Sequence, residues 1–426
     1  MARIRPFAAL LPPAELAARI SCPPYDVVTT AEARQFIKND PRSYMRVIRA
    51  EAEGREDVDH YAREVYDRAR ENFSLFRREG WLQAWPRPGI FVYRLREGEH
   101  VQTGVVACCS VEDYETGVIC RHENTRPDKE HDRMQHTLAL SAHPEAVLLA
   151  YRGQHVIDEW MKAVCGSQPL FDFKAEDGVQ HTLWPGRNFT SGKKSGDSSR
   201  LDRDESAMLD DVIKAFAQVP RLYIADGHHR SASARRASEA LRVQSTHHTG
   251  SEEYNFFPAA LFPAEQLRIL AYNRVLRPVA PWQPEEFLRR LRSEFYLMDD
   301  TYSAPRRKGE FCVYFSGHWH SFALPPEATS DPVALLDLSR LQKRLLEPFF
   351  GIGDQRTDAR IDFIGGKNSV AELERQVDRG QAQLGLSLFP PTLEELFAVS
   401  DRGELMPPKS TWFEPKLRSG LFIHTF

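Results

Sequence analysis

Residues 222–230 read LYIADGHHR and run straight into SASARRASEALRV (231–243), an apolar strand that ends in Asp-Gly-His-His-Arg at the first turn of a helix. That first turn presents backbone N–H groups without intrahelical partners and the positive end of the helix dipole. Gly227 lets an anion approach the backbone with no Cβ in the way, so the turn suits a phosphate. Around it stand the carboxylate of Asp226, the imidazoles of His228 and His229, which titrate near neutrality, and the permanently charged fork of Arg230. A strand-to-helix turn can serve merely to cap its helix, but four functional side chains within residues 226–230 favour a ligand site.

Upstream, IRPFAALLPPAELAARISCPPYDVV (4–28) predicts a short extended piece, a helix at about 14–20 and a Pro-Pro-Tyr-Asp turn, because Pro23 and Pro24 forbid helix there. The run 58–79 has Tyr61, Val65, Tyr66, Ala69, Phe73 and Phe76 near one helical face and predicts a core-packing helix. Strands follow at 89–97 and 103–114, separated by Glu-Gly-Glu-His, a hairpin composition, and EAVLLAYR (145–152) reads as a buried strand. Between them, ICRHENTRPDKEHDRMQH (119–136) is strongly polar. Charge runs are usually solvated, yet Arg121, His122, Glu123, Arg126, Lys129, Asp132 and Arg133 begin at a strand end, where α/β sites tend to lie. This loop is the second candidate site.

Residues 185–206 are rich in Gly, Ser and charge and read as a mobile loop, a lid or an insertion; their Ser-Gly-Lys-Lys-Ser-Gly core lacks the G-x-x-x-x-G-K-[ST] order of a phosphate loop. A helix at 206–217 precedes the strand, one or two buried strands occupy 256–276, and the prolines of 276–283 suggest a linker. The organisation expected is a mixed α/β chain with a first domain over 1–276 and a second α/β domain over 277–426. The latter shows a helix at PEEFLRRLRSEF, a hairpin at 311–324, an amphipathic helix at 333–352 ending before Gly351, a strand at 361–366 and then a helix. Gly365, Gly366 and Lys367 form a strand-to-helix turn of mainly geometric meaning. In the tail, which closes with a strand, Lys409, Ser410, Thr411 and Lys416 are unusual for a structural segment, and Lys409, Ser410 and Lys416 are candidates to complete a site across a cleft.

A chain of 426 residues predicts two or three domains, and 42% apolar with 27% charged residues is ordinary for a globular protein. The formal charge of −4 gives no general affinity for nucleic acid. Six cysteines without zinc spacing, two of them adjacent, read as reduced thiols. Residues 1–20 lack a continuous apolar signal core and no stretch reaches the roughly 18 apolar residues of a membrane span, so a cytoplasmic enzyme or binding protein is expected.

CPPYDVV, RHENTRPDKEHDR, LYIADGHHR, LDLSRLQKRLLEPFFGI, IDFIGG and PPKSTWFEPKLRSGL resemble, in that order, the landmarks of the bacterial and archaeal family catalogued as domain of unknown function 1015, over nearly the whole chain. ADGHHR is also similar to the Gly-His-Arg turn with which the ParB and sulfiredoxin nucleotide-binding superfamily holds phosphates, and to the Asp-Gly-His-x-Arg turn of its free-serine kinases. The resemblance implies a nucleotide-binding α/β core and phosphoryl transfer, with Mg²⁺ and ATP or ADP, to a small hydroxyl-bearing metabolite such as free L-serine. It would place phosphates on Gly227, His229 and Arg230, Mg²⁺ or the acceptor on Asp226, and phosphate binding or proton transfer on His228. Glu123 would act as base, and Arg121, His122 and Arg126 would shape the pocket. The chain is longer than those kinases and has no evident counterpart to their N-terminal motif, which leaves the acceptor open.

Two other readings use the same residues. A metal-dependent hydrolase or phosphatase would gather Asp226, His228 and His229 with His122, Glu123 or His131, although adjacent His228 and His229 cannot point the same way on a regular strand and no H-E-x-x-H is present. A non-catalytic regulatory protein would use the turn for nucleotide binding alone.

Overall fold

Strands Phe91–Glu97 and His100–Ser110 pair antiparallel with Glu97 opposite His100, the hairpin that Glu-Gly-Glu-His predicts, although the second strand starts earlier than read and gives way to helix Val111–Glu115. They belong to a nine-stranded mixed sheet in a computed structural model that describes residues 1–54, 59–186, 209–277 and 283–426. Across the sheet the order is 119–120, 222–226, 147–151, 256–263, 100–110, 91–97, 180–185 and 171–174, with Ile4–Arg5 added beside 100–110. Strand 222–226 runs parallel to 119–120 and 147–151 runs parallel to 256–263; the other pairs are antiparallel. The apolar stretches of 100–110 and 256–263 are buried on both faces, as mid-sheet strands must be. Helix His155–Cys165 adds Ile157, Trp160, Met161 and Val164 to this core, and helical residues 209–216 add Leu209, Val212 and Phe216.

Two compact units interleave along the chain, unlike the contiguous 1–276 and 277–426 read from the prolines. The first holds Met1–Cys120, Thr125–Leu267 and Pro415–Phe426; the second holds Arg121–Asn124 and Arg268–Glu414. The tail returns to the first unit because strand Ile423–Thr425 pairs with Ala9–Leu11 and with Ala142–His143 in a small sheet. Helix Arg63–Arg78 buries Val65, Ala69, Phe73 and Phe76 in the neighbouring core, while Tyr61 stays outside the helix and exposed. The polar stretch read as a loop holds helix Pro127–Leu140, with Pro127 in its first turn beside Asp128 and Glu130, a favourable helix start.

The second unit carries a six-stranded antiparallel sheet in the order 296–297, 318–323, 310–315, 384–388, 272–276 and 361–365. The predicted hairpin and both flanking helices are present, and the amphipathic segment is helical over Asp337–Phe350, with a π-turn at Gln342–Leu346, before left-handed Gly351. Of the loop expected over 185–206, residues 187–206 lie outside the described residues, as do 278–282 of the proline-rich boundary. Among the described residues no helix is long and apolar enough to cross a membrane.

Gly104 fixes the approach of two central strands. A Cβ there would lie 2.6 Å from the Leu261 carbonyl oxygen and 2.7 Å from Cδ1 of Phe262, so backbone would have to move. Gly104→Ala is therefore expected to lower unfolding free energy by about 1–3 kcal/mol, read from the denaturant midpoint; an unchanged midpoint would contradict this close approach.

Candidate functional site

The strand-to-helix turn forms where the sequence places it: strand Leu222–Asp226 is buried up to its last residue, and helix His228–Gln244 begins two residues later. A register shift between Ile224 and Asp226 inserts an extra residue against strand 147–151, and such a bulge re-aims the side chain that follows it. Gly227 then takes the N-cap position with φ 104° and ψ 32°, a left-handed conformation that favours glycine. The helix has no acidic residue in its first turn, so its positive end is not offset there by a carboxylate.

Asp226 is the anchor of the turn. Lys416 Nζ donates to its Oδ1 at 3.0 Å and Arg230 Nη2 donates to its Oδ2 at 2.6 Å. Burial alone would raise this carboxyl; Lys416 and Arg230 overcome that and hold it far below the usual carboxylate range. Strand 147–151 runs antiparallel to 222–226, which brings its entry residues Glu145 and Ala146 to the same end, and Arg230 Nη1 donates to the Ala146 carbonyl. Arg230 is only 8% exposed and folds back under Gly227, where an added Cβ would come within 3.3 Å of its guanidinium carbon. Its charge lies inside the turn.

His229 and Arg126 also meet here, the Arg126 backbone N–H donating to His229 Nε2 at 3.2 Å, which places a neutral imidazole's proton on Nδ1. The Arg126 guanidinium turns outward to Asp128 at 2.9 Å, and His228 is buried at the start of the helix. Lys416 thus joins the turn, whereas Lys409 and Ser410, grouped with it in the sequence reading, belong to the second unit. There Lys409 lies 5.5 Å from the Tyr272 ring centre and the Ser410 hydroxyl donates to the Pro407 carbonyl. Arg121, His122 and Glu123 also belong to the second unit, where His122 Nε2 is 3.0 Å from Thr411 Oγ1 and the His122 carbonyl accepts from Met406 N–H at 2.8 Å.

Sequence reasoning missed the remainder of the first unit's cluster. Asp26, in the Pro-Pro-Tyr-Asp turn, has Oδ2 3.9 Å from Arg230 Nη2 and a side chain 39% exposed. Tyr25 lies under the Arg133 guanidinium at 4.4 Å. Buried Glu145 accepts from the Ser419 hydroxyl at 2.7 Å and from Tyr25 N–H at 3.3 Å; burial pushes its carboxyl up against the opposing pull of Arg230 and Ser419. The two prolines announced the turn at 23–26, but no local pattern said what that turn would face.

The donor set around Asp226 does not fit Mg²⁺. Both oxygens already accept from cations, and a divalent ion would meet two fixed positive charges. The roles expected for Asp226 as a metal ligand, in kinase or hydrolase, give way to that of an anchor.

Residues 4–339 match the family described as "Protein of unknown function (DUF1015)". A comparison with curated proteins gives no match. Similar solved structures include a free serine kinase mutant in complex with AMP, at 14% identity and a TM-score of 0.36, covering 72% of this chain and 87% of that one. A conserved hypothetical protein from Pyrococcus furiosus has 14% identity, a TM-score of 0.35 and coverage of 74% and 93%. SbnI with C-terminal truncation from Staphylococcus aureus has 12% identity, a TM-score of 0.35 and coverage of 74% and 85%.

The Asp226 anchor has a pH signature. Its folded-state pKa lies below the unfolded value of about 3.9, so its contribution is complete above that pH and is lost as pH falls below it. Asp226→Asn is expected to cost about 3–5 kcal/mol at pH 7, because buried Arg230 and partly buried Lys416 lose their shared partner, and the gap from wild type should narrow below about pH 4. Urea titrations across pH would check this; a gap independent of pH would show that the carboxylate charge is not the stabilising element.

Proposed function

The chain belongs to the DUF1015 family, and we propose that its strand-end turn binds nucleotide phosphates and that the protein transfers a phosphoryl group to a small hydroxyl-bearing metabolite. Free L-serine is the first acceptor to try. The observation that carries this reading is the combination of left-handed Gly227, a 17-residue helix pointing its N-terminus at the turn, and two cations sharing one carboxylate beneath it. Phosphoryl transfer asks chiefly for positioning and for positive charge on phosphate oxygens, and this turn offers amides, a helix dipole and two fixed cations.

In this reading the amides at the start of the helix receive the phosphate, and His229 adds a donor at its edge. Asp226 is a positioning residue that holds Lys416 and Arg230 in place. The first unit offers Asp26 for the acceptor, since its carboxylate is the more exposed of the two beside Arg230. As the acceptor oxygen bonds to phosphorus, the bond to the nucleotide's bridging oxygen breaks and the acceptor proton passes to Asp26.

Phosphorus NMR of the protein with Mg²⁺, ATP or ADP, and a mixture of L-serine and related hydroxy metabolites tests the reading. A new phosphomonoester resonance is expected in wild type. In Asp26→Asn its rate should fall by about 10²–10⁴, with nucleotide binding and melting temperature retained. Nucleotide binding without turnover on any acceptor would replace the kinase with a nucleotide-binding regulatory protein, and absence of nucleotide binding would remove the phosphate from the turn.

A further inference from the structure

Towards the opposite edge of the nine-stranded sheet the first unit has a recess, unconnected with the proposed phosphoryl transfer. Helix His155–Cys165 covers Val92 and Trp184 in the core. At its C-terminal end a recess of about 440 Å³ opens, lined among others by Arg94, Arg96, Cys165, Asp172, Thr182 and Trp184. That volume lies in the range of small-molecule sites. It is separated from Asp226 by four to six strand positions in the sheet order, about 19–29 Å at the usual strand spacing.

The floor is built by register. Arg94 stands opposite Thr182, which stands opposite Asp172; in the next row Arg96 stands opposite Gln180, which stands opposite Lys174. Directly opposed residues share a face, so three cations and one carboxylate occupy it. The carboxylate is already engaged by neutral donors, Thr182 Oγ1 at 2.8 Å and Gln180 Nε2 at 2.9 Å, both on Asp172 Oδ1. Arg94 is held in place from behind: its Nε donates to Thr103 Oγ1 at 3.0 Å and its guanidinium lies 4.9 Å from the Trp184 ring centre. Among the described residues neither Arg94 nor Arg96 has a carboxylate partner, and their Cα atoms are two strand positions, about 6.8 Å, apart on one face. An anion between side chains so placed offsets the charge of both.

We infer that this recess binds a small dianionic oxyacid, a dicarboxylate or a phosphomonoester, whose two charges reach Arg94 and Arg96 together. Bidentate donation from each guanidinium suits carboxylate and phosphate oxygens alike. The site carries its own reporter, because Cys165 is half-buried in its wall while the other five cysteines are buried.

Succinate and inorganic phosphate are the probes, titrated calorimetrically into the full chain, with alkylation of Cys165 by iodoacetamide followed by mass spectrometry. Saturable binding of either anion that slows Cys165 alkylation is expected. Succinate alone would identify a dicarboxylate site and phosphate alone a phosphoester site. Arg96→Gln should weaken the binding by about tenfold or more and abolish the protection, with an unchanged melting temperature because the Arg96 side chain is exposed. Absence of saturable binding by both anions would overturn the inference. So would phosphate binding without protection of Cys165, which would belong to the strand-end turn, or wild-type affinity in both Arg94→Gln and Arg96→Gln.

Discussion

A single carboxylate with two cationic partners organises the strand-end turn. Asp226 terminates a buried strand, Arg230 lies one helical turn later, and Lys416 arrives from a segment 190 residues away. Removing such a carboxylate from water is costly unless charge partners compensate it, so through Lys416 the docked C-terminal segment stabilises the turn. Through its second nitrogen Arg230 also fastens the entry of strand 147–151 at Ala146. The result is one polar assembly that ties together a strand, a helix, a neighbouring strand and the tail.

That assembly also dictates the backbone. Arg230 must fold back under the turn to reach both Asp226 and Ala146, which fills the space beside Gly227 and leaves no room for a relaxed side chain there. The left-handed φ of Gly227 and the register shift before Asp226 are two parts of the same manoeuvre. One points the carboxylate at its cations, and the other starts the helix so that its amides face outward from the same point.

What the sequence made legible was what is local. A strand, a glycine and a helix start within a dozen residues announce themselves by composition, and the turn at 222–230 formed as read. Lys416 stood out in the tail as a cation in unusual company, but its partner did not, and Asp26 and Glu145 were illegible for a physical reason: long-range pairing and docking bring them to Arg230, and neither leaves a periodic trace. Helix Pro127–Leu140 escaped for another reason. Its buried positions are Asp132, His136, Thr137 and Leu140, so the face that packs inward is mostly polar and the hydrophobic period is silent. Strand Leu384–Leu388 alternates leucine with Gly385 and Ser387, yet all five residues are buried, so its alternation does not mark a solvated face.

The chain as a whole is mildly acidic, yet its two most ligand-like features in the first unit both gather cations. Net charge is therefore a poor guide to what this protein binds. At the turn, two cations share one carboxylate and a helix dipole points the same way; at the far edge of the sheet, Arg94 and Arg96 stand side by side while the nearby Asp172 is held by neutral donors. At the turn, and at Arg94, hydrogen bonds and packing hold the charged groups before any ligand arrives. An anion reaching these groups meets them already oriented, so little of its interaction energy is lost to reorganisation. Cations gathered in this way repel one another, and at the turn the carboxylate of Asp226 offsets that repulsion.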